Sequence, residues 1–95
     1  MSAFVIVEIE VHDQDLYKSY TQLTPASIAS YQGKFVVRGG ETMVLEGDWQ
    51  PKRLALLEFP SMEIANSWWH SEEYTKAREI RQRAATTKMI IVDGV

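Results

Sequence analysis

The chain has no cysteine. Disulfides and thiolate metal sites are therefore closed to it, and the absence fits a reducing cytoplasm. It has only two histidines, His12 and His70, far apart and without carboxylates at ligand spacing, so no metal site and no cofactor is expected. No HExxH, CxxC, GxSxG, P-loop or dinucleotide fingerprint occurs. Positive charge is also short: the formal net charge is −3, which argues against a nucleic-acid partner, since counterion exchange with phosphate needs a basic surface. The longest apolar run falls well short of the roughly 20 residues that cross a bilayer, and MSAFVIVEIE lacks the basic n-region of a signal peptide. Three prolines and five glycines are too few and too scattered for a linker. The expectation is one cytoplasmic domain over residues 1–95, with no membrane contact.

What is present is periodic. Residues 3–11 alternate, with Val5, Val7, Ile9 and Val11 on one face and Phe4, Ile6, Glu8 and Glu10 on the other, which predicts a strand. Asp13 is placed to cap a helix over 14–22, Pro25 to open a second piece over 25–32, and Gly33 to end it as the residue beyond the cap. Residues 34–46 predict a second strand broken by Gly39-Gly40, and 47–52 a hairpin connection. A third strand covers 53–59. Ser61 caps a helix that restarts near His70 at a second cap, Ser71, and runs to about Ala85; residues 87–92 form the last strand.

This order, β-α-β-β-α-β, is the split βαβ plan. It makes the domain α+β and ferredoxin-like, with both helical segments on one face of a four-stranded antiparallel sheet ordered fourth, first, third, second. We expect the first and third strands to be central and parallel to one another. The second sheet face should then be polar, yet Phe4, Ile6, Leu54 and Leu56 lie on it and Met89-Ile90-Ile91-Val92 does not alternate. An apolar patch of this kind marks an interface, so a homodimer packed sheet to sheet is expected. Trp49, in a polar loop, is expected to anchor on the partner subunit.

The segments FVIVEIEVHD, YQGKFVVRGGETMVLEGDW, RLALLEFPSMEIANSWWHSEEY and MIIVDGV together cover most of the chain. They resemble the family catalogued as domain of unknown function 1330. The resemblance implies a dimeric α+β barrel, in which two ferredoxin-like units close their sheets into one barrel. That wider superfamily includes cofactor-free monooxygenases, small isomerases, haem-dependent enzymes and ligand-sensing domains. Fold alone does not choose among them, and the resemblance assigns no catalytic residue.

Candidate site residues follow from chemistry. Arg38, between Glu8, Glu41 and Glu58, suits a bidentate grip on a small organic acid; the competing reading is an ion-pair network that fixes strand register. His70, after Trp68-Trp69, has the pKa range for proton transfer, with Glu58 as the alternative base; the competing reading is a half-exposed histidine at a helix end. Tyr31 and Trp69 belong to an aromatic set that either packs the core or walls an apolar pocket. The basic residues Lys76, Arg78, Arg81, Arg83 and Lys88 read as a solvated helix end. Three functions remain open. One is a small cofactor-independent enzyme, oxygenase- or isomerase-like, acting on an aromatic or conjugated acid. Another is a non-catalytic binding or sensing module. The third is a purely structural dimer that serves as an assembly partner.

Overall fold

The computed structural model describes residues 2–95. Strand β1 (Ala3–Val11) buries Val5, Val7 and Ile9 and turns Phe4, Ile6 and Glu8 to the other face, as its alternation requires. Asp13 caps α1 (Gln14–Ser30), accepting from the Leu16 amide at 3.0 Å. The expected break at Pro25 does not occur. Proline removes the amide that would bond the Thr21 carbonyl, but hydroxyls beside it add bonds of their own. Thr24 Oγ1 donates to the Tyr20 carbonyl at 2.7 Å and Ser27 Oγ to the Thr24 carbonyl at 2.8 Å. Tyr17, Tyr20, Thr24, Ser27 and Ile28 form one buried stripe through the proline, and that packing holds the helix whole.

The helix ends one residue earlier than the glycine implied. Gln32, not Gly33, takes the left-handed conformation, at φ 62°. The Gly33 amide then bonds the Ile28 carbonyl at 2.9 Å and the Gln32 amide the Ala29 carbonyl at 3.0 Å, the paired closure of a Schellman motif. Gly33 is needed for space instead: a Cβ there would sit 2.5 Å from Phe59 Cε1.

The rest of the chain is β2 (Lys34–Arg38), β3 (Leu54–Phe59), α2 (Met62–His70), α3 (Glu72–Ala84) and β4 (Ala85–Asp93). Ser61 and Ser71 cap the two helices as expected, each accepting an amide at 3.1 Å, from Ile64 and Tyr74. The second strand is much shorter than its apolar pattern implied. Residues 39–53 form no strand, and Met43, Leu45 and Trp49 on this arm are exposed. Nothing within one copy covers them, so no packing holds the arm in a ladder.

The sheet order is β2-β3-β1-β4, and every neighbouring pair is antiparallel. The ferredoxin-like order stands, but the expected parallel pairing of the first and third strands is wrong. It is β1 and β2 that run parallel across the α1 crossover, and β3 returns between them. Helices cover one face. Between them and the sheet lies the core, centred on Trp68, whose ring is 4.0 Å from Tyr74 and 5.2 Å from Phe59 by centroids. Each such side chain contributes about 1.5–3 kcal/mol by leaving water.

The uncovered face is apolar in the middle and charged at its ends. Ile6 lies between Leu56 and Ile90, and Phe4 pairs with Val92. Glu8 faces Lys88 at one end, and Glu58 faces Lys34 at the other, with Lys34 Nζ 3.5 Å from Glu58 Oε1. No helix is long and apolar enough to cross a membrane.

Candidate functional site

Strand register decides which of the sequence candidates meet. Glu8 is opposite Leu54, and Glu58 is opposite Phe4. The two carboxylates are thus four positions apart along β1, about 13 Å at 3.3 Å per residue, and form no pair. Counting back through a hairpin at 47–52 would set Glu58 opposite residues 39–41, but the long arm intervenes and Glu58 pairs with Lys34. A hydrogen bond from Ser2 holds the Glu58 carboxyl below the usual carboxylate range, with Lys34 adding to the effect. The Lys34–Glu58 pair joins β2 to β3 at one sheet end, and it includes none of Glu8, Arg38 and Glu41. Glu41 is exposed on the arm.

Arg38 is separated from them by a bulge. Phe35 pairs with Leu57 but Val37 with Leu56, so Val36 is an extra residue and Arg38 falls opposite Ala55. In an unbulged ladder, with Val36 paired like its neighbours, Arg38 would face the same side as Glu58. One inserted residue flips every later side chain, and Arg38 is carried to the helix-covered side. There its guanidinium carbon lies 4.4 Å from the Phe35 ring centroid.

His70 ends α2, exposed, with Nδ1 2.9 Å from the Asn66 carbonyl and its ring edge-on to Trp69. It borders neither of the two cavities that flank Trp68. Tyr31 is half-buried against the core at the end of α1. Of the candidates, Trp69 and Arg38 line the two cavities that flank Trp68, one in each, and Glu8 borders a separate one with Lys52 and Lys88.

The larger cavity, about 290 Å³, is a groove between the α2–α3 corner and β4. Trp68, Trp69 and Met89 give it apolar walls; Asn66, Arg81, Gln82 and Thr87 bring polar groups. Trp69 is steadied from behind by Arg78, whose guanidinium carbon lies 3.9 Å from the ring centroid. Its Nε is buried without a hydrogen-bond partner, consistent with a cation held against a π face.

Arg81, expected among the solvated basic residues of the helix end, is instead buried. It is 3% exposed. Its Nε donates to Tyr74 Oη at 3.2 Å and its Nη1 to Thr87 Oγ1. Both partners are neutral, and among the described residues no carboxylate lies within ion-pair distance of it. A buried guanidinium without a counter-charge costs several kcal/mol. A signal for it was present: Tyr74, Ala77, Arg81 and Ala84 recur at helical spacing and all are buried on α3. The same stripe, extended through the basic run, includes Arg81.

Trp68 separates this groove from a small cavity beneath α1, about 40 Å³, bordered by Tyr17, Tyr20, Phe35, Arg38 and Arg53. Tyr20 and Tyr74 join across the core, with hydroxyls 2.9 Å apart. Burial pushes both Tyr17 and Tyr20 above the usual phenol range; Arg53 partly opposes this at Tyr17, and Tyr74 adds to it at Tyr20. Among the described residues no three of histidine, aspartate and glutamate gather as a metal site would require.

Comparison with known proteins agrees with this architecture. A protein of unknown function from Rhodopseudomonas palustris superposes with a TM-score of 0.77 at 18% identity, over 99% of this chain and 82% of that one. SnoaB, a cofactor-independent oxygenase from Streptomyces nogalater, gives 0.70 at 14% identity, over 99% and 93%. A dimeric protein of unknown function and ferredoxin-like fold from Bacteroides fragilis gives 0.65 at 14% identity, over 98% and 96%. At these identities the likeness is one of fold. No curated protein matches the chain. The model of the domain of unknown function DUF1330 matches residues 2–95, and the chain belongs to that family.

Proposed function

We propose that this protein binds a small aromatic or conjugated organic acid in the groove between α2–α3 and β4, with the acid's anion on Arg81. The observation that carries this reading is the burial of Arg81 without a carboxylate. A ligand anion would supply the missing counter-charge, and charge-assisted hydrogen bonds are the stronger kind. Volume favours this groove over the cavity beneath α1: about 290 Å³ is near the lower end of ligand pockets, whereas about 40 Å³ holds little more than a water molecule. The flat wall of Trp69 suits a planar body. The apolar outer face of the sheet supports a homodimer, with a second copy covering it.

The groove is bordered by no histidine, aspartate or glutamate, so it offers no general base of its own. Binding without chemistry is accordingly the reading its residues support best. The cofactor-independent enzyme stands as a second reading, favoured by the fold shared with SnoaB. In that case the substrate would bring its own reactive carbon, and Arg81 would stabilise the anion formed on it.

Calorimetry with benzoate and benzamide tests the binding site. Benzoate is expected to bind at least tenfold more tightly than benzamide, and Arg81→Met to abolish the difference while Arg81→Lys retains part of it. Equal affinity for acid and amide overturns the reading, as does undiminished benzoate binding by a folded Arg81→Met protein. Dioxygen uptake with conjugated acids separates the two functions: steady consumption supports the enzyme, and recovery of the unchanged acid supports the binding module.

A further inference from the structure

The cavity beneath α1 carries a second, separate feature. Arg38 and Arg53 both border it. Among the described residues neither has a carboxylate within ion-pair distance, and neither guanidinium donates a hydrogen bond to the protein; the ion pair found is Lys34–Glu58. Arg38 is exposed and Arg53 half-buried, so both guanidiniums stand at the open side of the cavity.

Both side chains are held by backbone features. The Val36 bulge sets Arg38 on this side of the sheet. Arg53 is fixed by its carbonyl, which accepts the Ile9 amide at 2.9 Å, and its guanidinium lies against Gly39. Gly39 has φ +72°, and a Cβ there would be 3.1 Å from Arg53 Cζ. The positive φ favours glycine there, and a Cβ would press the Arg53 guanidinium out of its place.

The guanidiniums also share an orientation to aromatic rings. Arg38 lies over Phe35 at 4.4 Å and Arg53 over Tyr17 at 5.8 Å. Contact through the π face leaves the N–H donors free around the guanidinium edge, where a planar oxyanion is gripped. The cavity of about 40 Å³ is too small to enclose an organic body, so an anion held by these donors sits at its mouth.

We propose that Arg38 and Arg53 form a second anion site at the mouth of this cavity, which takes one compact oxyanion: a carboxylate of a small acid or a phosphate. It lies across Trp68 from Arg81.

The test is an NMR titration of the full chain, following the arginine Nε–Hε signals and the Tyr17 ring. Inorganic phosphate and acetate are added separately at constant ionic strength, with chloride as the control. The expected result is a saturable shift at Arg38, Arg53 and Tyr17 with at least one oxyanion and not with chloride. Tighter binding of phosphate or of acetate names the natural source of the group. Arg38→Gln and Arg53→Gln should each weaken the response at least tenfold, and Arg81→Met should leave it intact. Gly39→Ala, which displaces Arg53, should weaken it in a protein that melts cooperatively. Shifts that are linear in concentration and equal for chloride overturn the proposal. So does saturable binding that survives both glutamine substitutions. Benzoate binding at Arg81 is read from different signals, so either site can fail alone.

Discussion

The hydroxyl oxygens of Tyr20 on α1 and Tyr74 on α3 lie 2.9 Å apart in the core, and Arg81 Nε reaches the Tyr74 oxygen at 3.2 Å. One phenol therefore both joins the two helices and satisfies a buried cation. Removing it strands two groups at once. Tyr74→Phe leaves Arg81 with one hydroxyl partner and Tyr20 without its bond, and is expected to destabilise the fold by about 2–4 kcal/mol, since each buried group left unsatisfied costs roughly 1–3 kcal/mol. Tyr20→Phe leaves the Tyr74–Arg81 bond in place and should cost less. Urea unfolding of the two single variants and the double variant checks this. An additive double variant would mean the two phenols are not coupled.

Two buried phenols, Tyr17 and Tyr20, set the response to alkali. Burial raises the pKa of Tyr17 and Tyr20 above the usual phenol value, and unfolding returns both to about 10. A group whose folded pKa is raised stabilises the fold fully below its unfolded value, and that contribution is lost as pH rises through the folded one. Stability should accordingly fall above about pH 10. In a 295 nm absorbance titration the signals of Tyr17 and Tyr20 should appear late and together with loss of helical circular dichroism. In Tyr20→Phe the late amplitude should shrink. Early, reversible ionisation of all the tyrosines in a folded protein would contradict the burial argument.

Much of the fold was legible because its determinants are local. Alternation at Val5, Val7 and Ile9 set the first strand, and Ser61 and Ser71 declared their helices by capping chemistry. The apolar outer face was readable for the same reason, since Phe4, Ile6, Leu54 and Leu56 alternate with the core residues. The site was not legible in this way, because it depends on register and on tertiary neighbours. A single extra residue at Val36 sends Arg38 to the opposite face from Glu58, and nothing in the local sequence distinguishes Val36 from a paired valine. His70 drew attention through its chemistry, yet its position as the last residue of α2 turns it to solvent. Arg81 was obscured by the charge of its neighbours, although the period of α3 contained it.

Gly33 and Gln32 separate two roles that one glycine often fills. Gly33→Ala places a methyl 2.5 Å from Phe59 Cε1 and 2.8 Å from Ile28 Cγ2, inside a packed core. Overpacking of this kind costs about 1–3 kcal/mol. Gln32→Gly relieves a left-handed residue at φ 62° and should stabilise by up to about 1 kcal/mol, the strain being offset in part by the greater freedom of the unfolded chain. The opposite signs, read from paired urea melts, are the prediction. If Gly33→Ala were neutral, the contact with Phe59 would have to relax freely.

The outer face of the sheet leads to the last expectation, that the working unit is a pair. Ile6 sits between Leu56 and Ile90 at the centre of this face, and Ile90 is 60% exposed in one copy. The arm continues the same apolar surface, since Leu54 on the outer face borders Met43, Leu45 and Trp49. A stable pair needs to cover about 800 Å² per partner, and a whole sheet face with an arm is surface of that order. Ile6→Lys places a charge at the centre, where it would be desolvated without a partner. Sedimentation equilibrium is expected to show a dimer for the unaltered chain and a monomer for Ile6→Lys. Trp49→Ala should weaken association while leaving the monomer's circular dichroism unchanged, because Trp49 is exposed within its own copy. An Ile6→Lys protein that sediments as a dimer would place the interface elsewhere and leave the apolar face without its proposed occupant.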